Sequence, residues 1–320
     1  MEKISSNMKT ILITGGTGFL GRNLAPALTG AFRVVLTGRN NKQNNYAQAV
    51  TGCEVIPMDV ANIEAVRDAF TEVRPDFVIH AAATKFVDLA EKQPMECIDV
   101  NVTGSQNVAR VAVEKQVEVV LGISTDKAAP PVRNTYGLSK AIMERIFCSM
   151  NSKAQTRFAC VRYGNVAWST GSVLPIWKQM HEKDGVIRST GPEMRRFFFT
   201  VDEAVKLVLT ALENIEAIQG KVLSRYMKAA QIADLLNTWI ENKGGSWERI
   251  EGRPGERNDE FLIGEIELPF TTELIYDGIT HYLISFNEKV PKPLTVGLSS
   301  ANTTRLSPSE MADLIDDARE

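Results

Sequence analysis

Short apolar segments alternate with amphipathic segments along the first half of the chain. Runs rich in aliphatic and β-branched residues predict strands at 9–14, 32–36, 54–58, 77–80, 117–123 and 158–163. Between them, apolar residues at helical spacing predict helices at 23–28, 63–70, 94–114 and 136–149. Strands and helices that alternate in this way form a parallel sheet covered on both faces. The pattern therefore predicts an α/β fold with a doubly wound, parallel Rossmann-type sheet.

The alternation ends after residue 165, which predicts a smaller, mostly C-terminal α/β lobe. We expect residues 1–165 to form the main domain, with 194–215 packing back on it, and residues 166–193 and 216–320 to form the lobe and a C-terminal extension. Further helices are predicted at 173–183, from Asp202, at 228–239 and at 308–317. The last of these begins in a capping box, Ser307-Pro308-Ser309-Glu310. Residues 266–300 give no clear pattern.

The composition argues against several classes of partner. The 320 residues are 44% hydrophobic and carry a net charge of −3. Nucleic acids and anionic membranes require clustered positive charge, so we expect neither as a partner. No apolar run reaches the ~18 residues of a membrane span and no secretory signal is seen, so we expect a soluble cytoplasmic protein. The histidines share no ligand spacing, so no metal site is expected. The cysteines are interpreted as reduced core residues: Cys53, Cys97, Cys148 and Cys160.

A glycine-rich turn follows the first predicted strand. Gly15-Gly16-Thr17-Gly18-Phe19-Leu20-Gly21 leads directly into a helix. Glycine lets the backbone turn sharply and approach a diphosphate, while the helix N-terminus attracts its negative charge. We therefore predict a dinucleotide site with contacts from Gly15, Thr17, Gly18, Phe19, Leu20 and Gly21.

The ends of the next strands indicate which dinucleotide binds. An NAD-preferring site usually places an acid after the second strand, but here the residue is Arg39. A guanidinium suits the additional ribose phosphate, so we favour NADP, with NAD as the alternative and a solvated surface arginine as the other interpretation. Asp59-Val60 is a candidate for the adenine amine. Ala81-Ala82-Ala83 offers a flat backbone surface, or simply close helix packing, and Lys85 is expected to face the same cleft.

Polar residues cluster between residues 124 and 140, from the end of the fifth strand into the next helix. Tyr136 and Lys140 are four residues apart, so they share one helical face, and we expect the ammonium to lower the pKa of the phenol. A tyrosine–lysine pair at this spacing also occurs by chance. Thr125 adds a hydroxyl at the strand end, and Asp126-Lys127 adds an acid and a base. The pair Asp126-Lys127 has a plainer interpretation as an exposed loop ion pair or helix cap.

Together these motifs resemble the extended short-chain dehydrogenase/reductases, and in particular the inverting UDP-N-acetylglucosamine 4,6-dehydratases of the polysaccharide biosynthesis protein family. The resemblance covers about residues 9–265 and rests on T-G-G-T-G-F-L-G, S-T-D-K-A, Y-G-L-S-K, R-Y-G-N-V, G-S-V-L-P and R-P-G-E-R. It implies tightly bound, recycled NADP, a nucleotide-sugar substrate and a homo-oligomer. It also implies inversion at carbon 5, because Tyr136 is typical of the inverting enzymes.

The resemblance also implies roles for individual residues. Asp126 and Lys127 would serve elimination as acid and base, and Tyr136, Lys140 and Thr125 would serve oxidation. Arg253 would clamp the substrate diphosphate. Further substrate contacts are expected from Lys85, Asn165, Ser172, Val173, Arg196 and Glu256. Three alternatives stay open: a 4-epimerase or 4-reductase, a 5,6-dehydratase, and a non-catalytic NADP-binding regulator.

The sequence departs from that family's pattern beside G-S-V-L-P. Trp168 stands where glycine is usual, and Thr170 stands where arginine is usual. We expect both side chains beside the substrate, where they would alter the choice of sugar. Arg195 and Arg257 are expected to be surface charges, and residues 197–199 are expected in the core.

Overall fold

In the computed structural model, the described residues are 8–252 and 255–318. Their strands are β1 Thr10–Thr14, β2 Arg33–Gly38, β3 Glu54–Pro57, β4 Phe77–His80, β5 Val119–Ile123, β6 Arg157–Arg162, β7 Asn165–Val166, β8 Val186–Ser189, β9 Arg195–Phe199, β10 Val222–Arg225, β11 Ala229–Gln231, β12 Ser246–Arg249, β13 Phe261–Ile263, β14 Thr271–Tyr276, β15 Ile279–Ile284 and β16 Leu298–Ser299. Their helices are α1 Phe19–Leu28, α2 Asn41–Thr51, α3 Ile63–Val73, α4 Val87–Lys92, α5 Pro94–Ile98, α6 Gly104–Glu114, α7 Thr135–Met150, α8 Val173–Asp184, α9 Val201–Glu213, α10 Ile215–Ile218, α11 Ile232–Lys243 and α12 Pro308–Asp316.

The main sheet has nine strands in the order β14-β15-β10-β6-β5-β4-β1-β2-β3. Every pair from β10 to β3 is parallel, while β15 and β14 are added antiparallel at one edge. All residues of β1 and β5 are buried, as expected for strands covered on both faces. The predicted α/β Rossmann-type fold is confirmed. The parallel order brings the carboxyl ends of β1, β4 and β5 to one edge, where ligands bind in such sheets.

The main sheet extends further along the chain than the sequence pattern predicted. Strands β10, β14 and β15 lie in 216–320, the range expected to form the lobe, yet they complete this sheet. β14 and β15 form a hairpin whose turn, Asp277-Gly278, has positive φ at both residues. An Asp-Gly turn between alternating residues is a strong hairpin signal, and it could have identified this part of 266–300. The helix in 194–215, α9, packs against α1 and β6.

Two predicted helices differ in detail. The helix expected at 94–114 is interrupted by a π-helical segment, Asp99–Thr103, between α5 and α6. The helix expected from residue 228 begins only at Ile232, because Ala229–Gln231 pairs with β9 as a strand. The C-terminal helix α12 has the predicted capping box at Ser307 and Glu310.

Smaller sheets build the rest of the molecule: β11-β9-β7, β12-β8 and β13-β16. Residues 197–199 are buried, as expected. The four cysteines are free: Cys97 and Cys160 are buried in the core, while Cys53 and Cys148 are partly buried and pack against it. Across residues 8–252 and 255–318, no helix has both the length and the apolar character needed to cross a membrane.

Candidate functional site

A cleft of about 720 Å³ lies at the carboxyl edge of the main sheet. It brings together residues that are distant in the sequence and were predicted as site residues. Those that line it are Gly15, Thr17, Gly18, Phe19, Leu20, Gly21, Arg39, Asp59, Val60, Ala81, Ala82, Ala83, Lys85, Thr125, Lys127, Tyr136, Lys140, Asn165, Ser172, Arg196 and Glu256. Asp126 lies fully buried directly behind this lining. Arg253 lies outside the described residues.

The glycine turn has the shape required to hold a dinucleotide. Gly15 has φ +64°, and a Cβ placed there would lie 2.6 Å from the Cα of Ala82. Gly18 precedes α1 without a side-chain cap, so the first backbone N–H groups of this helix are available at the cleft. This arrangement fits a diphosphate, since only a bare backbone leaves room for close approach.

The adjoining strand ends line the same part of the cleft. Arg39 is exposed and forms a 3.0 Å ion pair with Glu96, which leaves its remaining guanidinium donors toward solvent. Asp59 accepts a hydrogen bond from the N–H of Ala61 at 3.0 Å. His80, at the end of β4, lies 2.7 Å from Thr14 and 3.0 Å from Ser105 through its two ring nitrogens. Burial, helped by Lys140, lowers the pKa of His80 to about 3, so it is a neutral structural residue and not a base.

Asn101 supports the cleft wall from the π-helical segment. Its side chain accepts from the N–H of Thr84 at 2.8 Å and donates to the carbonyl of Thr84 at 2.9 Å and to the Ser139 hydroxyl at 2.9 Å. Ser139 lies on α7 between Tyr136 and Lys140. Asn101 therefore connects the loop after β4 to the helix that carries the tyrosine. A π-helical turn inside an α-helix is frequent at functional sites, which agrees with this position beside the cleft.

Tyr136 and Lys140 lie on one face of α7, but their electrostatics differ from the prediction. The Lys140 ammonium donates to the sulfur of Met143 at 3.0 Å, and burial lowers the pKa of Lys140 to about 8. Tyr136 borders the cleft, yet burial raises the pKa of its phenol above the ordinary value. Asp126 and Cys97 add to this rise, and Thr125 opposes it. The expected lowering by Lys140 is therefore not found in this structure, because desolvation is the larger effect.

Asp126 has the environment of a buried acid. One carboxylate oxygen, Oδ1, accepts from Thr125 at 2.9 Å and from Lys127 at 3.0 Å, while Oδ2 is buried with no hydrogen-bond partner. Desolvation raises the pKa of Asp126, helped by Glu260 and opposed by Lys127. A buried oxygen without a partner costs free energy, which makes it a candidate for contact with a ligand. The interpretation as an exposed loop ion pair is therefore wrong.

Lys127 lies between two buried carboxylates. Its ammonium is 3.0 Å from Asp126, 3.8 Å from Glu260 and 3.3 Å from the Asn165 amide oxygen. Its side chain is only 14% exposed, and this exposed part faces the cleft. Asp126, Lys127 and Asn165 thus place an acid, a base and a polar amide within one small region.

Glu260 is held by three cations. Burial alone would raise its pKa, but Lys127, Arg196 and Arg257 outweigh that effect and hold the pKa of Glu260 below its ordinary value. Arg257 donates to Glu260 at 2.7 Å and to the carbonyl of Pro131 at 2.8 Å, and its side chain is 10% exposed. The prediction that Arg257 is a surface charge is wrong. Arg195 is instead tied to Asp259 by two contacts of 2.6 Å.

Residues 167–172, which we call the cleft loop, contribute Ser169, Thr170, Gly171 and Ser172 to the lining of the cleft. Thr170 and Ser172 line the cleft, and the Ser172 hydroxyl is buried without a partner. Val173 does not line it, since this residue begins α8. Trp168 does not line it either: its indole is buried on the far side of the loop. The expectation that Trp168 lies beside the substrate is therefore wrong.

The chain matches the family model described as "Polysaccharide biosynthesis protein" over residues 11–276. Among curated relatives, an uncharacterized membrane protein of Methanocaldococcus jannaschii is 36% identical over 312 residues, covering 89% of this chain and 92% of the relative. A UDP-N-acetylglucosamine 4,6-dehydratase (inverting) of Campylobacter jejuni is 34% identical, covering 87% and 83%. A UDP-glucose 4-epimerase of Rickettsia felis is 33% identical, covering 96% and 95%.

Solved structures agree on the architecture. The X-ray structure of Pen from Bacillus thuringiensis superposes with a TM-score of 0.89 at 27% identity and covers 98% of each chain. A superposition over nearly the whole length shows that the two chains share one architecture, including the C-terminal region.

Proposed function

The chain belongs to the polysaccharide biosynthesis protein family, and from this we propose that it is a nucleotide-sugar 4,6-dehydratase. At the coarser level, relatives named as a dehydratase and an epimerase support a nucleotide-sugar enzyme of the short-chain dehydrogenase/reductase family, and we propose that it uses a nicotinamide cofactor. The proposed reaction converts UDP-N-acetylglucosamine into a UDP-4-keto-6-deoxy-N-acetylhexosamine with inversion at carbon 5. The observation that carries the proposal is the buried Asp126–Lys127 pair beside Tyr136, because oxidation at carbon 4 alone needs no such pair.

The residues that would hold the cofactor are those of the glycine turn, with Arg39 favouring NADP. Asp59, Val60, Ala81, Ala82 and Ala83 would border the adenosine and nicotinamide ends. When bound, the nicotinamide supplies a hydride acceptor and donor, so that the overall reaction is redox-neutral. Lys140 would bind the adjoining ribose.

Tyr136 takes the proton of the sugar's 4-hydroxyl in this proposal. Because burial raises the pKa of its phenol, the tyrosine needs a nearby cation to become a base. Lys140 on the same helical face is that cation, once its ammonium turns from Met143 toward the phenol. Thr125 favours the phenolate from the other side.

Elimination uses the proton shared by Asp126 and Lys127. Moving one proton from the ammonium across 3.0 Å to the carboxylate gives a neutral amine and a carboxylic acid without changing the net charge. The amine then removes the proton from carbon 5, which the 4-ketone has acidified. The acid protonates the 6-hydroxyl as the carbon–oxygen bond breaks, so water leaves and a carbon 5–carbon 6 double bond forms. Hydride returned to carbon 6 and a proton returned to carbon 5 would then complete the 4-keto-6-deoxy product. Burial of Asp126 favours the protonated acid, because it penalises the charged carboxylate.

Substrate recognition would rest on polar and charged side chains of the cleft lining. Arg196 lines the cleft with its side chain 12% exposed, and Glu256 and Lys85 line it nearby. We propose that Arg196 and Lys85 meet the anionic diphosphate, together with Arg253. Asn165 and Ser172 would meet sugar hydroxyls, since each presents a polar atom at the cleft.

A homo-oligomer is also proposed. Met95, Ile98, Leu138 and Ile142 are 42–72% exposed and lie on α5 and α7, which pack together. Apolar side chains grouped on neighbouring helices favour a contact with a second copy. Light scattering of the purified protein tests this: a dimer or larger species is expected, and a monomer would reject it.

A 4-epimerase is the second candidate, favoured by the relatives that carry that name. The deciding experiment is incubation with UDP-N-acetylglucosamine without added cofactor, followed by mass spectrometry and proton NMR. Loss of one water with a 4-keto, 6-methyl product is expected. An isomer of unchanged mass would support the epimerase, and an exocyclic alkene would support a 5,6-dehydratase.

A further inference from the structure

We propose that the C-terminal helix α12 positions the cleft loop through Trp168, and so contributes to affinity for the nucleotide sugar. This inference rests on the proposed function. It makes Trp168 a positioning residue, since its side chain reaches away from the cleft while its neighbours Ser169, Thr170 and Ser172 border the ligand space.

The contact between the cleft loop and α12 is a specific hydrogen bond. The indole N–H of Trp168 donates to the backbone carbonyl of Leu314 at 2.9 Å, across 146 residues of sequence. Trp168 is only 7% exposed, so this bond is shielded from water. A shielded bond of this kind keeps its strength and its direction, and the buried indole adds apolar contact.

The loop adopts a backbone conformation that needs such an anchor. Trp168 has φ +61°, a left-handed conformation that is unfavourable for a residue with a bulky side chain. This conformation turns the indole to one side of the chain and the following residues to the other. The free energy lost in the backbone is offset by the indole contacts, so the shape of the cleft loop depends on them.

The Trp168 indole enters an aromatic cluster of the lobe. Its ring centroid is 6.2 Å from that of Trp239, and Trp239 meets Trp177 edge-on at 6.2 Å. Trp177 lies on α8, directly after the cleft loop, and Trp239 lies on α11. Both ends of the loop are therefore tied to the same cluster.

Helix α12 is itself firmly attached. Met311, Leu314 and Ile315 are buried, and α12 packs on α11. Glu310 and Asp316 form 2.5 Å ion pairs with Lys228 and Lys243. Helix α12 thus offers a well-packed contact surface for the cleft loop. Weakening either side of the Trp168–Leu314 contact should make the conformation of the cleft loop less well defined.

The test measures binding without turnover. In a Tyr136→Phe background, which removes the proposed base, isothermal titration with UDP-N-acetylglucosamine gives Kd directly. Adding Trp168→Phe deletes the hydrogen bond but keeps an aromatic ring, and we expect Kd to rise about fivefold, the cost of one buried hydrogen bond. Adding Ile315→Ala, which loosens α12 without touching the loop, should raise Kd in the same direction.

Trp247→Phe is the matched control. It removes another indole hydrogen bond of the lobe, to Asn237 at 3.0 Å, between residues that do not line the cleft, and should leave Kd within twofold. Dinucleotide affinity should be unchanged in every variant. If the background protein binds the sugar nucleotide but Trp168→Phe or Ile315→Ala leaves Kd unchanged, the inference is wrong and the proposed function stands. If the background protein does not bind it at all, the proposed function fails, and this inference with it.

Discussion

Two buried clusters of this molecule share the same arrangement of charges but differ in how completely they are bonded. In each, one cation lies between two carboxylates: Arg162 between Glu144 and Glu267, and Lys127 between Asp126 and Glu260. We call them the arginine cluster and the lysine cluster. Arg162 ends β6, and Asn165, which contacts Lys127, begins β7 three residues later, yet only the lysine cluster reaches the cleft.

Every donor of the arginine cluster has a partner. The Arg162 guanidinium donates to Glu144 at 2.7 and 3.0 Å, to Glu267 at 2.9 Å twice, and to the carbonyl of Leu262 at 3.1 Å. This uses all five N–H groups of an arginine. Ser124 donates to Glu144 at 2.6 Å, which further satisfies that carboxylate. Because Glu144 lies on α7, the cluster holds the helix of Tyr136 and Lys140 against the segment that follows Glu260.

The lysine cluster is incompletely bonded by comparison. Asp126 Oδ2 has no partner, and the Lys127–Glu260 contact is 3.8 Å long. Complete bonding stabilises a fold, whereas a buried group left without a partner persists where a ligand or a proton transfer uses it. The comparison therefore assigns stability to the arginine cluster and chemistry to the lysine cluster.

The largest effect is expected from Asp126→Asn. The amide keeps the shape and can still accept from Thr125 and Lys127, but it cannot deliver a proton to the leaving hydroxyl. We expect the rate of water loss to fall about 10²- to 10⁴-fold, the usual contribution of a general acid. The midpoint temperature of thermal unfolding should be unchanged or slightly higher, because the carboxylate is replaced by a neutral amide at a fully buried site. A clear loss of stability with little loss of rate would contradict the assignment.

Arg162→Met should have the next largest effect, on stability. Removing the guanidinium leaves Glu144 and Glu267 buried without a counter-charge, which costs about 3–5 kcal/mol of unfolding free energy. Denaturant titration measures this. A triple variant that combines Glu144→Leu, Arg162→Met and Glu267→Leu replaces the whole cluster by apolar side chains and should recover most of the loss. If the single variant loses less than about 1 kcal/mol, the cluster is not a stability element.

The third effect is on the pH dependence of the rate. Glu260 helps to raise the pKa of Asp126, and Asp126 must be protonated to act as the acid. Activity should therefore fall as pH rises and the Asp126–Lys127 pair loses the one proton that it shares. Glu260→Gln removes the neighbouring negative charge and lowers the pKa of Asp126, so the alkaline decline should move to lower pH. Asp259→Asn, beside it in sequence but paired with Arg195, should not move the decline. If the pH dependence of the rate is the same in Glu260→Gln as in the wild type, Glu260 does not influence the protonation of Asp126 during the reaction.

The sequence predicted the lysine cluster better than the arginine cluster, and the reason is the range of the contacts. Asp126 and Lys127 follow directly after a predicted strand, and the glycine turn follows another, so the parallel sheet alone brings them together. Glu267 reaches Arg162 across 105 residues, and Arg257 reaches Pro131 across 126. No local pattern signals such contacts. The direction of the Tyr136 pKa was missed for a similar reason, since desolvation depends on the packing of distant segments.

The smallest effect is expected from Arg67→Ala. This variant tests whether the arginine cluster stabilises the fold because it is buried or because of its arrangement of charges. Arg67 also lies between two carboxylates, 2.6 Å from Glu64 and 3.1 Å from Glu114, so its contacts are as short as those of Arg162. However, its side chain is 37% exposed, and those of Glu64 and Glu114 are 69% and 44% exposed. Water solvates all three charges and salt screens them, so each is almost as well accommodated without its partners. The denaturation midpoint should stay close to that of the wild type, and any small loss should vanish at high salt. A loss comparable to that of Arg162→Met would show that the arrangement of charges itself stabilises the protein, and that burial is not what separates the arginine cluster from a surface ion pair.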